Sequence, residues 1–159
     1  MTSFAKTPKG DAVKKLWFVL VPPLCALALT ACPTNDPIVI ITDAQDKIVL
    51  NADTVNVNVP NDAANPFVLK SLPSNPPSGV SITSYQWSAQ LDAGGGCNGG
   101  AAAVIGTQQN LSWVVGFNTL IGGCYVQGSN TAKIKIAVTY SNGKTATNTA
   151  KIVFIAPPN

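Results

Sequence analysis

The chain predicts an all-β fold, an antiparallel two-sheet sandwich of about seven or eight strands. Three observations lead there. Apolar and polar residues alternate with a period of two in several short segments. Clusters of Asn, Asp, Gly, Pro and Ser separate those segments. No stretch carries an apolar stripe at helical spacing with caps at its ends.

In chain order, Ile38-Val39-Ile40-Ile41 and Ile48-Val49-Leu50 are β-rich runs parted by a polar turn from Asp43 to Asp46. Val55, Val57 and Val59 alternate with Thr54, Asn56 and Asn58, the pattern of a half-buried strand. Phe67-Val68-Leu69 is a further short strand. The Pro- and Ser-rich segment from Leu72 to Val80 is a loop. A strand over Val80 to Ala89 follows, with Tyr85 and Trp87 on one face. Leu91 to Ala103 is a Gly-rich excursion, and Leu111, Trp113, Val115 and Phe117 alternate again. Ile134, Ile136, Val138 and Tyr140 share one face, with Lys133, Lys135, Ala137 and Thr139 on the other. Ser141-Asn142-Gly143-Lys144 is the hairpin turn. The return strand, Thr145 to Ile155, is polar in its first half and nearly continuously apolar from Lys151 to Ala156, which predicts deeper burial of its end. Pro157-Pro158 stops it.

Two segments carry a resemblance. Ile82-Thr83-Ser84-Tyr85-Gln86-Trp87 and Lys133-Ile134-Lys135-Ile136-Ala137-Val138-Thr139-Tyr140-Ser141-Asn142-Gly143-Lys144-Thr145 resemble the immunoglobulin-like PKD and related bacterial surface domains. There a Tyr-x-Trp strand lies in the core, and an apolar-x-Val-Thr strand leads through an Asn-Gly turn into a Thr-rich return strand. Tyr85, Trp87, Val138, Thr139, Asn142 and Gly143 match. The resemblance implies an immunoglobulin-like sandwich over residues 38–156, with 157–159 as a tail. Ser88-Ala89-Gln90-Leu91 stands where that family has an acidic-glycine run.

Ahead of this domain, Lys6, Lys9, Lys14 and Lys15 make a basic region, an apolar run extends from Leu16 to Thr30, and small residues precede Cys32. Leu29-Thr30-Ala31-Cys32 resembles the lipobox of bacterial lipoproteins. That resemblance implies a signal peptide over residues 1–31, an acylated Cys32 and a short tether over 32–37. Pro33, where inner-membrane lipoproteins often carry Asp, implies the outer membrane if the cell has two. A spanning helix is the rival reading. Leu16 to Ala31 would rise about 24 Å against a hydrocarbon core of about 30 Å, and Pro22-Pro23 interrupts it. Acyl chains anchor because each buried CH₂ contributes about 0.8 kcal/mol, and two chains hold where one binds reversibly.

Cleavage changes the charge balance. Four of ten lysines and one of seven aspartates precede Cys32, so six of each remain and the side-chain charges cancel. The chain has no Arg, Glu or His. No phosphate-binding stripe is left, which argues against nucleic-acid binding. A Ser–His–Asp or Cys–His arrangement cannot be built, so a non-enzymatic protein is expected.

Cys97 and Cys124, left over once Cys32 is acylated and 27 residues apart, are expected to form a disulfide in an oxidising compartment, stapling two Gly-rich loops. Asp43 and Asp46 are a weak calcium-binding alternative, with turn capping the simpler account. No other cofactor is implied. Trp87, Trp113, Phe117 and Tyr85 are expected in the core, with Tyr125 and Phe67 partly exposed. Tyr125 is a candidate binding-loop residue because it sits beside the expected staple. The leading expectation is a membrane-anchored envelope protein acting as a structural or protein-interaction module. The alternative is a glycan- or surface-ligand-binding adhesion domain, which would have to use Tyr125 or Tyr140.

Overall fold

The computed structural model describes residues 36–50, 52–94, 99–128 and 130–156. The expected signal segment, the tether up to Asn35 with Cys32, the tail 157–159 and Cys97 lie outside the described residues.

Eleven strands form among the described residues: β1 (Val39–Asp43), β2 (Ile48–Val49), β3 (Thr54–Asn58), β4 (Phe67–Pro73), β5 (Ile82–Leu91), β6 (Ala103–Gly106), β7 (Asn110–Trp113), β8 (Leu120–Ile121), β9 (Cys124–Tyr125), β10 (Thr131–Tyr140) and β11 (Thr145–Ile155). A single 3₁₀ turn covers Val126–Gly128. One sheet has the order β2-β1-β4-β7, a second β3-β11-β10-β5-β6, and β8 and β9 form a separate hairpin. The class is therefore all-β, with two open sheets packed on each other. It is not a clean sandwich of seven or eight strands. The surplus comes from β6, β8 and β9, bridges of two to four residues, too short to show a period of two in the sequence.

The long strands follow their alternation. Ala132, Ile134, Ile136, Val138 and Tyr140 of β10 are buried, while Lys133 and Lys135 are exposed. Its partner β11 continues the same alternation to its end: Ala146, Ala150, Ile152 and Phe154 point inward, and Ile155 is 40% exposed. The expected deeper burial of Lys151 to Ala156 is corrected accordingly. Residue β11 Lys151 lies beside Thr54 of β3, which runs parallel to β11 and leaves its far edge unpaired. The β10–β11 turn closes through Gly143 N–H donating to the Tyr140 carbonyl at 2.9 Å and Tyr140 N–H to the Lys144 carbonyl at 2.9 Å. Gly143, at φ 81°, supplies the left-handed residue this three-residue loop needs.

Trp87 is fully buried in the middle of β5 and sits where the two sheets are joined. Its indole N–H donates to the Gln108 carbonyl at 3.0 Å. Residue Gln109 exchanges two bonds with Ser71 of β4, Ser71 Oγ to the Gln109 carbonyl at 2.8 Å and Gln109 Nε2 to the Ser71 carbonyl at 3.2 Å. The passage from β6 to β7 is thus bonded to one sheet through Trp87 and to the other through Ser71. A Cβ at Gly106 would lie 3.0 Å from Leu111 Cδ1 and 3.7 Å from the Trp87 ring, so the chain turns close against the indole there. Across the edge, Asn148 Nδ2 on β11 donates to the Val39 carbonyl of β1 at 2.9 Å.

Of the aromatics expected inside, Trp87 and Trp113 are buried, while Tyr85 and Phe117 are half-buried at the margin of the core. The strand carrying Trp113 stops there, short of the expected run to Phe117, because Val115 N–H bonds to the Asn61 side chain at 2.6 Å instead of a neighbouring strand.

Trp87→Ala should cost about 3–5 kcal/mol, from the cavity and the orphaned Gln108 carbonyl together. Urea unfolding would measure it. Thr42 is buried and its hydroxyl oxygen has no hydrogen-bond partner among the described residues. Thr42→Val should therefore raise stability by about 1 kcal/mol in the same assay, since the desolvation penalty disappears while the shape is kept.

Candidate functional site

The aspartates divide their work among turns. Asp43 Oδ1 accepts the backbone N–H groups of Gln45 and Lys47, both at 2.9 Å. Asp46, at φ 63°, pairs with Lys70 Nζ at 2.7 Å. Asp53 caps Leu50 N–H at 2.9 Å, and Asp62 Oδ1 accepts Ala64 N–H at 3.0 Å and Asn65 N–H at 2.8 Å. Asp36 pairs with Lys144 Nζ at 2.8 Å. Asp92 accepts the Thr131 hydroxyl at 2.7 Å. Asp43 and Asp46, the calcium alternative, are thus joined to backbone and lysine. Among the described residues no group of three or more His, Cys, Asp or Glu side chains could hold a metal ion. No helix among them is long and apolar enough to cross a membrane.

The cysteine expectation needs correction. Among the described residues no two sulfurs lie within bonding range, so the expected Cys97–Cys124 disulfide is not found among them. Cys97 lies outside those residues. Cys124, for its part, is held in a disulfide and does not titrate as a free thiol.

Tyr125 lies on β9, directly opposite Leu120 of β8, and directly opposed residues project from one face of a hairpin. Leu120 is 57% exposed and Tyr125 56% exposed, although the residues that follow them in the chain, Ile121 and Val126, are buried. The hairpin is rigidly held. Gly122 and Gly123, at φ 56° and 90°, form its two-residue turn, the left-handed pair that matches strand twist. Thr119 anchors its base, accepting Gly116 N–H on its hydroxyl at 2.8 Å and Val126 N–H on its carbonyl at 3.1 Å. Leu120 was not among the residues the sequence pointed to. Leu120-Ile121 and Cys124-Tyr125 around Gly122-Gly123 do carry a short hairpin signal. Tyr140 is buried, which removes it from any glycan platform; its hydroxyl points to the Ser74 carbonyl at 3.5 Å.

A second feature is a polar groove of about 250 Å³ between β3 and the start of β4, lined by Asn56, Asn58, Asn61, Asn65, Gln45 and Phe67 among others. A hollow of about 330 Å³ continues from it and shares Asn58, Asn61 and Asn65. Asn61 is the rigid member: its Oδ1 accepts Val115 N–H and its Nδ2 donates to the Trp113 carbonyl at 3.3 Å. Phe67, half-buried as expected, meets Trp113 edge-on with ring centroids 6.5 Å apart.

Comparison with protein-family models gives no match, and comparison with curated proteins gives none either.

Gly122→Ala should lower stability by at least about 1–2 kcal/mol, from the left-handed backbone alone, because its Cβ would also collide with the Ala101 carbonyl. Thermal unfolding would check it. Gly123, with open space at its Cβ position, should tolerate Ala better.

Proposed function

We propose that this is a lipid-anchored envelope protein whose β-domain is a non-enzymatic module that docks another envelope protein. The observation that carries the docking is the Leu120–Tyr125 pair, two large apolar side chains presented together on a turn held by glycines and Thr119. Rigid aromatic anchors bind with little loss of entropy and dominate protein interfaces.

The anchor rests on Leu29-Thr30-Ala31-Cys32. Asp36, four residues beyond Cys32, is already tied to Lys144 in the β10–β11 turn. Four residues span at most about 14 Å, so an acyl group on Cys32 would hold the domain close to the bilayer. Partners would then lie in or beside the membrane, the outer one by the reading of Pro33. The immunoglobulin-like, PKD-like subfamily belongs to the same proposal. Its supports are the buried Trp87 in mid-strand and the Tyr85, Val138 and Thr139 positions on paired strands β5 and β10.

Two outcomes test the proposal. Protein extracted from membranes should have the mass of residues 32–159 plus acyl chains, and Cys32→Ser should abolish that species; an intact or unlipidated N-terminus would refute the anchor. A photo-crosslinking residue placed at position 125 or 120 in living cells should trap one discrete envelope protein, while the same residue at Thr147, exposed on β11, should not. Equal labelling at all three positions would refute docking by the hairpin.

A further inference from the structure

We propose that the groove beside β3 is a binding site for neutral oligosaccharides. It is independent of the lipid anchor and lies on different elements from the β8–β9 hairpin.

The chemistry of the lining points to the ligand. Asn56, Asn58, Asn65 and Gln45 are exposed, and their side-chain amides make no hydrogen bond to any described residue. Each primary amide offers two donors and an acceptor, the complement of a pair of neighbouring hydroxyls that both donate and accept. Asp43 and Asp62 also line the two hollows, each with Oδ1 committed to backbone N–H groups and Oδ2 without a partner among the described residues. No lysine is among the described residues that line either hollow. The lining is therefore neutral to acidic, which disfavours phosphate- or sulfate-bearing ligands and suits uncharged polyols. Phe67 adds an apolar surface at one wall, fixed in orientation by Trp113. A sugar ring has such a requirement on its C–H face.

The walls are already set before any ligand arrives. Val59 N–H donates to the Ile155 carbonyl at 2.9 Å and Asn61 N–H to the Val115 carbonyl at 3.0 Å. Asp62 closes the turn that presents Asn65. A site that does not reorganise loses little affinity to ordering. The two hollows together fall within the ~300–1,000 Å³ usual for small-ligand sites. Their continuity along Asn58, Asn61 and Asn65 favours a chain of sugars over a single ring. The rival occupant is an extended peptide added to the unpaired edge of β3. Such a strand would follow Thr54–Asn58 and would have no use for Asn65 beyond the corner.

The test uses the full purified chain on an array of neutral α-glucans, β-glucans, galactans and chito-oligosaccharides, followed by calorimetry with the best-bound glycan. Saturable binding is expected, unchanged when NaCl is raised to about 0.5 M because no lysine takes part. Asn58→Ala and Asn65→Ala should each weaken it about tenfold, equivalent to 1.4 kcal/mol. Their melting temperatures should match the parent, since neither side chain bonds to a described residue. The proposal is overturned if no neutral glycan on the array binds, if the double variant binds as the parent does, or if Tyr125→Ala alone abolishes binding. It is equally overturned if the groove variants lose only the capture of extended peptides.

Discussion

The burial of Trp87 between the sheets is the constraint on which the rest of this domain depends. An indole of that size brings most of the local apolar area, yet its N–H must be satisfied where no water reaches. The Gln108 carbonyl does this at 3.0 Å, and the adjacent Gln109 is clamped to Ser71 of the opposite sheet. One buried polar requirement thereby fixes the path by which the chain leaves the five-stranded sheet and enters the four-stranded one. Gly106 allows the close approach, and Leu111 packs against it from the next strand. Apolar burial drives the two sheets together, while the polar crossover decides how they register.

The charged groups follow a complementary logic. With so few ionisable residues, the aspartates are used at turns, where a carboxylate can accept backbone N–H groups that no strand satisfies. Lysines on β10 and β11 stand on the solvent face. The result is a surface whose recognition features are apolar or amide-bearing instead of charged. The hairpin presents a leucine and a tyrosine; the groove presents asparagines. The groove is built on a loop braced by hydrogen bonds to the sheets, and the hairpin on a segment held by its own bonds around Thr119.

Those two surfaces differ in what holds them in place. The hairpin depends on backbone conformation, because glycines alone occupy its left-handed turn without strain. The groove depends on side chains, since Asn61 bridges the Trp113 carbonyl and Val115 N–H while Asp62 closes the neighbouring turn. Disturbing one should leave the other intact, so the proposed partner docking and the proposed glycan binding are separable by substitution.

Much of this architecture was legible from the residues alone. Alternation placed the faces of β3, β5 and β10, and Asn142-Gly143 located the long hairpin, because a period of two and a left-handed turn are local properties. The exposure of Tyr125 and the partial exposure of Phe67 were also legible. The short bridges β6, β8 and β9 were not, since two to four residues carry no measurable period and form only when a partner strand is supplied by the fold; β2 was legible from its β-branched run Ile48-Val49. The apolar end of β11 misled for a related reason: burial there is set by which neighbours cover each face, and Ile155 has none deep enough. Tyr140, open to either role in the sequence, is drawn inward by the alternation of β10. The sequence by itself determined the all-β class and the inward faces of the long strands, which follow from local periodicity. Only the tertiary structure decided that Leu120 would stand opposite Tyr125 and that asparagines from β3 and from the loop after it would line one groove. Those juxtapositions join residues through long-range pairing and packing, which no local pattern encodes.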